Sequence, residues 1–130
     1  MQLDQELRYG FESSDVGTYR EATWIRDRSS PGKRKWMVKR LWPFHPQTVD
    51  CAILSRLIDP ASGRVTISLA GLNSFGTVAA GEFLTVAQYW NVAAAQLPRG
   101  WDRKYCQFIL KTKVVRTTPG RSRMVAVHCW

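Results

Sequence analysis

A strand, a turn bounded by two glycines and a helix follow one another directly in residues 64–84, and this succession constrains the fold more than any other feature. Residues 65–70 (VTISLA) are apolar and partly β-branched, which is typical of a buried strand. Gly71 and Gly76 bound the turn, and an alanine-rich stretch without proline begins at Thr77. Small residues after the turn allow the helix to lie close to the sheet. We therefore predict that a helix packs face to face on a sheet.

The helix is predicted to cover residues 77–96, because apolar side chains recur there at helical spacing. These positions are Val78, Ala79, Phe83, Val86, Tyr89, Trp90 and Ala93. Pro98 and Gly100, which follow shortly after, are typical of the end of a helix.

Strand patterns occupy much of the remaining chain, at residues 7–12, 19–25, 35–41, 50–59, 105–115 and 124–130. In the strand of residues 105–115, Cys106 and Phe108 fall on one face, and Gln107 and Ile109 fall on the other. We predict an α/β (α+β) fold with a mixed, mostly antiparallel sheet of about five to seven strands and the one main helix on a face. Residues 1–130 form a single domain, in which residues 1–48 supply N-terminal strands and a basic loop and residues 49–130 supply the strand–turn–helix core.

The turn before the helix is the first candidate for a binding site. The first backbone N–H groups of a helix are unpaired and carry partial positive charge, so they favour a phosphate or carboxylate. The ligand-binding residues predicted on this basis are Asn73, Ser74, Gly76, Thr77 and, from a neighbouring strand, Arg56. The turn lacks the lysine of a Walker A loop. A turn that simply allows close packing of helix on sheet explains the same small residues.

No complete catalytic set is recognisable, so no catalytic residue is assigned. An enzyme that handles a nucleotide or phosphoester is the alternative, and it would use the same turn together with Glu82 or Asp50. Glu82 is also explained by the favourable interaction of a carboxylate with the positive end of a helix.

A basic segment near the N-terminus indicates nucleic-acid binding as a further alternative. The chain has a net charge of +9, and basic residues interleaved with tryptophans bind single strands through phosphate contacts and base stacking. The basic residues are Arg26, Arg28, Lys33, Arg34, Lys35, Lys39 and Arg40, and the tryptophans are Trp24, Trp36 and Trp42. A solvated surface with inward-pointing tryptophans accounts for the same pattern.

The cysteines and histidines predict neither a metal site nor a cofactor. Cys51, Cys106 and Cys129 are odd in number and lack C-x-x-C spacing, so we expect three buried, reduced thiols in a reducing, cytoplasmic compartment. His45 and His128 share no ligand spacing with them. The N-terminus is polar, and no apolar run reaches the length of a membrane span.

Several segments resemble an uncharacterised bacterial α/β domain found at the C-terminus of regulatory proteins, some of which begin with a winged-helix DNA-binding domain. The resemblance is carried by residues 50–56 (DCAILSR), 59–64 (DPASGR) and, most specifically, 69–85 (LAGLNSFGTVAAGEFLT). Residues 97–101 and 125–130 are also similar. The resemblance implies a sensor or interaction module downstream of a signalling unit, and it implies no enzymatic activity.

Together these observations predict a non-enzymatic ligand-sensing or protein-interaction domain of a bacterial regulatory system. Its expected partner is a small anionic ligand at the strand–turn–helix or a regulatory protein, with nucleic acid as the weaker alternative. The sequence predicts no oligomeric state.

Overall fold

The computed structural model describes residues 7–14, 22–39 and 48–130, which contain eight strands, two α-helices and a short 3₁₀ turn. The strands are β1 Tyr9–Ser13, β2 Ala22–Asp27, β3 Trp36–Lys39, β4 Val49–Ile58, β5 Val65–Gly71, β6 Cys106–Val115, β7 Thr118–Pro119 and β8 Arg123–Cys129. The helices are α1 Ser74–Thr85 and α2 Ala87–Ala94, and the 3₁₀ turn is Trp101–Arg103. Arg40, Trp42 and His45 lie outside the described residues.

The strands form two antiparallel sheets. The small sheet has the order β1-β2-β3, and the large sheet has the order β5-β4-β6, with β7 and β8 both paired to β6. The predicted class, a mainly antiparallel sheet combined with helix, is confirmed. The difference is that the N-terminal strands form a separate sheet.

The central strands β4 and β6 of the large sheet are buried on both faces, which explains the second sheet. The edge strand β5 is exposed over residues 65–68, so the prediction of a buried strand there is wrong. Side chains alternate across a strand, so Ala52 and Leu54 of β4 point to one face while Cys51 and Ile53 point to the other. The helices cover the first face. Tyr9 and the rest of the small sheet cover the second face. The chain therefore builds three layers, with the large sheet in the middle.

The helices pack through small and aromatic side chains. Ala80 and Phe83 of α1 are buried against Phe108 of β6 in one apolar cluster. Trp90 of α2 meets the Phe108 ring edge-on, with 6.2 Å between ring centroids. The predicted alternation in β6 is confirmed, because Cys106 and Phe108 belong to this cluster whereas Ile109 belongs to the one beneath the small sheet.

The single helix predicted for residues 77–96 is instead two helices. Helix α1 starts earlier, at Ser74, and ends at Thr85; Val86 is extended, with φ −83° and ψ 106°, before α2 begins. Thr85 and Val86 are both β-branched and lose side-chain freedom in a helix. The Thr85 hydroxyl also donates to the Gly81 carbonyl at 2.8 Å, a contact that bends helices. Local β-branching thus interrupts an otherwise helical pattern.

The Gln107 side chain connects the small sheet to the large one through hydrogen bonds. The Tyr9 backbone N–H donates to the Gln107 side-chain oxygen at 2.9 Å, and the Gln107 amide donates to the Tyr9 carbonyl at 3.1 Å. The same amide donates to the Ser55 hydroxyl at 3.2 Å. Gln107 is 1% exposed. Its side chain therefore takes the position of a neighbouring strand along the outer edge of β1.

Replacing Gln107 with leucine is expected to lower the free energy of unfolding by about 2 kcal/mol, because the Tyr9 backbone groups stay buried and lose their partners. Urea unfolding followed by tryptophan fluorescence measures this. Gln88→Leu on exposed α2 is the matched control and should change stability by less than about 0.5 kcal/mol. Equal effects of the two substitutions would contradict the role assigned to Gln107.

The cysteine prediction is wrong for two of the three residues. Cys106 and Cys129 are partners on β6 and β8, with Cα atoms 4.1 Å apart, and they form a disulfide. Disulfide pairing depends on proximity in the fold, which the absence of C-x-x-C spacing does not exclude. Cys51 is a buried free thiol as predicted. The expectation of a reducing compartment rested on three reduced thiols, and the disulfide removes that basis.

Helices in the described part of the chain are all too short or too polar to cross a membrane.

Candidate functional site

The turn before α1 holds an anion, and that anion is the chain's own Asp50. The Asp50 carboxylate accepts hydrogen bonds from the backbone N–H groups of Gly76 at 2.6 Å and Asn73 at 3.1 Å. It also accepts from the N–H of Cys51 at 2.8 Å. Asn73 is the N-cap residue, yet its side chain does not cap the helix. A carboxylate from β4 therefore does the capping that a local side chain usually does.

Burial makes this carboxylate inaccessible. Asp50 is 0% exposed. Burial raises its pKa above the usual range of aspartate, while the N–H groups of Gly76, Cys51 and Asn73 act in the opposite direction. Since no part of Asp50 reaches solvent, it cannot approach a substrate as a general base in this conformation. Glu82, the other acid considered for catalysis, is exposed on α1.

The two glycines of the turn are required by close approach of the backbone. A Cβ atom on Gly71 would lie 2.4 Å from the Asn73 carbonyl oxygen and 2.5 Å from the Thr77 nitrogen. A Cβ atom on Gly76 would lie 2.8 Å from the Cys51 carbonyl oxygen and 2.9 Å from an Asp50 carboxylate oxygen. The turn is packed shut around Asp50, as the structural interpretation of its small residues predicts.

The other residues predicted for this site are only partly brought together. The Thr77 hydroxyl accepts from the Gly71 N–H at 2.9 Å, so it stabilises the turn, and Ser74 is exposed. Arg56 is on β4, six residues beyond Asp50, or about 20 Å along the strand. Its guanidinium donates to the carbonyls of Lys104 at 2.7 Å and Asp102 at 2.6 Å. Arg56 therefore supports the loop before β6 and does not reach the turn.

The tryptophans of the basic segment are engaged within the fold. Trp24 is 7% exposed and has the Arg34 guanidinium 3.9 Å above its ring. Its indole N–H donates to Glu12 at 3.1 Å, and the same carboxylate pairs with Arg26 at 3.0 Å. Trp36 packs edge-on against the Tyr9 ring. These contacts favour the interpretation of inward-packed tryptophans over that of a base-stacking surface.

Among the other basic residues predicted for nucleic-acid binding, Lys35 places its ammonium group 5.6 Å from the centroid of the Trp36 ring. Arg28, Lys33 and Lys35 are exposed in and after the turn that follows β2. The Lys39 backbone belongs to β3.

His128 is part of a stacked aromatic group. Its ring stacks on Trp130 with centroids 5.2 Å apart, and Trp130 stacks on Tyr105 at 5.7 Å. Desolvation and then the charge of Arg8 lower the pKa of His128. No three His, Cys, Asp or Glu side chains among residues 7–14, 22–39 and 48–130 lie close enough together to hold a metal ion.

A cleft between α2 and the start of β8 is open to solvent and has a volume of about 210 Å³. It is lined by Phe83, Tyr89, Val92, Ala93, Gln96, Arg121, Ser122, Arg123 and Met124. The Arg121 guanidinium lies 4.4 Å from the centroid of the Tyr89 ring, and Ser122 is 5% exposed. An apolar floor thus meets the Arg121 guanidinium, and Arg123 also lines the cleft.

Sequence reasoning missed this cleft because its walls come from two distant segments, residues 83–96 and 121–124. The available signal was the basic pair at positions 121 and 123, which flanks a serine just before an apolar strand.

Comparison with known proteins gives no further information on the site, because no family model, curated protein or solved structure matches the chain. The resemblance to a bacterial regulatory domain therefore stays a prediction.

Proposed function

We propose that this protein is a non-enzymatic binding domain that holds a small anion-bearing ligand in the cleft between α2 and β8. The observation that carries the proposal is the meeting of an apolar floor with the Arg121 guanidinium in one open cleft. Ligand sites are generally concave and mostly apolar, with a few polar groups that fix orientation.

The chemistry of the walls indicates the class of ligand. Phe83, Ala93 and Met124 offer contact to an apolar body, and Gln96 and Ser122 offer hydrogen bonds. None of the lining residues is acidic, so nothing in the cleft neutralises the two arginines. A guanidinium group pairs well with a carboxylate or phosphate. The volume is below the usual range for drug-sized ligands, which favours a compact molecule such as an aryl carboxylate or aryl phosphate.

The cleft replaces the turn before α1 as the proposed ligand site. An external anion at the turn would have to displace Asp50, which is already held by backbone N–H groups. The role as a sensor in a bacterial regulatory system remains part of the proposal, and the resemblance of residues 69–85 supports it.

Isothermal titration with benzoate and phenyl phosphate tests this function. We expect saturable binding by the wild-type protein and at least a tenfold weaker affinity for Arg121→Ala, which corresponds to about 1.4 kcal/mol. Arg64→Ala is the matched control, because Arg64 is an exposed arginine before β5 and does not line the cleft; its affinity should equal that of the wild type. Absence of wild-type binding, or equal losses in both variants, would overturn the proposal.

A further inference from the structure

The positive charge of this protein is concentrated at its C-terminal end. Residues 103–130 contain seven lysines and arginines and no aspartate or glutamate, so they account for seven of the nine net charges. Most of this segment is the β6–β7–β8 hairpin. The earlier basic segment, residues 26–40, has acidic residues beside it, and Glu12 and Asp27 pair with Arg26 and Arg8.

Within the hairpin, basic side chains share one face without acidic neighbours. Lys111 and Lys113 alternate with buried residues on β6, about 7 Å apart along the strand. Arg123 of β8 is the register partner of Lys111. Like charges directly opposite one another on a sheet are destabilising. The two ion pairs found in the described part of the chain involve neither these residues nor Arg116. Within the described residues, no acidic side chain forms an ion pair with this face.

The tip of the hairpin presents a further cation on a strained turn. The chain reverses at Arg116 and Thr117, whose φ angles are 48° and 64°. Hairpin turns with two positive φ angles usually contain asparagine and glycine, and a β-branched residue such as threonine is disfavoured there. Arg116, Thr117 and Thr118 are all exposed. The tip thus offers the Arg116 guanidinium and the Thr118 hydroxyl to a partner, while the Thr117 hydroxyl donates to the Arg116 carbonyl oxygen at 2.6 Å.

We propose that this face, formed by Lys111, Lys113, Arg116 and Arg123, binds the phosphate backbone of double-stranded nucleic acid. Lysine and arginine bind phosphates with little regard to sequence. Pairing with β4 ends at Lys113, so the tip formed by residues 114–119 is a two-stranded ribbon, and such a ribbon is narrow enough to enter the major groove of a duplex. A membrane is the less suitable partner, because interfacial surfaces combine cations with tryptophan, phenylalanine or leucine. The large exposed apolar residues of the hairpin are Val115 and Val125.

The proposal goes beyond ligand binding in the cleft and does not depend on it. Fluorescence anisotropy with a labelled duplex of about 20 base pairs, between about 50 and 200 mM salt, tests it. With four contacts, the logarithm of the binding constant should fall with the logarithm of salt concentration with a slope of about −3.6. The double variant Lys113→Gln/Arg116→Gln should reduce the magnitude of this slope by about 2 and weaken binding.

Two controls make the result decisive. The double variant Lys33→Gln/Arg34→Gln removes the same charge from the earlier basic segment. It should bind the duplex more tightly than the hairpin variant does, and the slope of its salt dependence should be close to that of the wild type. Thr117→Gly keeps every charge and relieves the turn, so it should bind like the wild type. A salt-independent affinity, equal losses in the two double variants, or binding to phosphatidylserine vesicles but not to the duplex would overturn the proposal.

Discussion

Replacing Asp50 with alanine is expected to lower the free energy of unfolding by about 4 kcal/mol, the largest effect of any single substitution considered for this chain. The substitution leaves the N–H groups of Gly76, Asn73 and Cys51 without their acceptor. Each buried donor without a partner costs about 1–3 kcal/mol. The positive end of α1 also loses the negative charge that it faces.

The Asp50→Asn substitution removes the charge of this side chain and keeps its shape, so it separates the effects of the two. Asparagine fills the same volume and keeps one acceptor oxygen, but its amide group would face N–H donors. We therefore expect a loss between that of alanine and zero. Urea unfolding at neutral pH measures both variants. If alanine were tolerated within about 0.5 kcal/mol, Asp50 would not be the group that organises the turn.

Gly76→Ala is expected to destabilise the protein by about 3 kcal/mol, because the new methyl group would press on the Cys51 carbonyl oxygen and on Asp50. Neither neighbour is free to move: one is backbone of a central strand, and the other is a buried carboxylate. Replacement of glycine by alanine in an exposed helix ordinarily stabilises by up to about 1 kcal/mol. The expected change in the free energy of unfolding is therefore opposite in sign to the change that helix propensity alone predicts.

Gly81→Ala is the matched control for this experiment. Gly81 is also in α1, and a Cβ atom on it meets nothing within 4 Å. It should stabilise the protein by up to about 1 kcal/mol. Thermal unfolding of the two variants side by side measures the difference. A stabilising effect of both substitutions would show that close packing at the turn is not what Gly76 provides.

The strand–turn–helix was predictable from residues close together in sequence, and its chemistry was not. Strand residues, bounding glycines and an alanine-rich helix are local signals, and the structure has all three as β5, the turn and α1. The carboxylate that fills the turn comes from β4, 26 residues before Gly76. Its position depends on the register of β4 against β5, which no local pattern reveals. The same limit explains the placement of Arg56.

The C-terminal hairpin shows how register information, once available, would have corrected the cysteine prediction. A regular hairpin that reverses at residues 116 and 117 would place Cys106 opposite Val127, and it is the register shift along β6 and β8 that places Cys106 opposite Cys129. The concentration of positive charge in residues 103–130 was also readable from the sequence. The cleft, in contrast, could not be predicted from the sequence, because α2 and β8 are distant in the chain and come together through the fold.

We infer that the anion at the start of α1 is internal and that ligands bind elsewhere. Proton–nitrogen correlation spectra recorded during titration with inorganic phosphate test it most directly. We predict that the amide signals of Gly76 and Asn73 do not shift in the wild-type protein, because Asp50 already accepts their hydrogen bonds. Saturable shifts of these two signals in the wild type, with Asp50 intact, would contradict the claim.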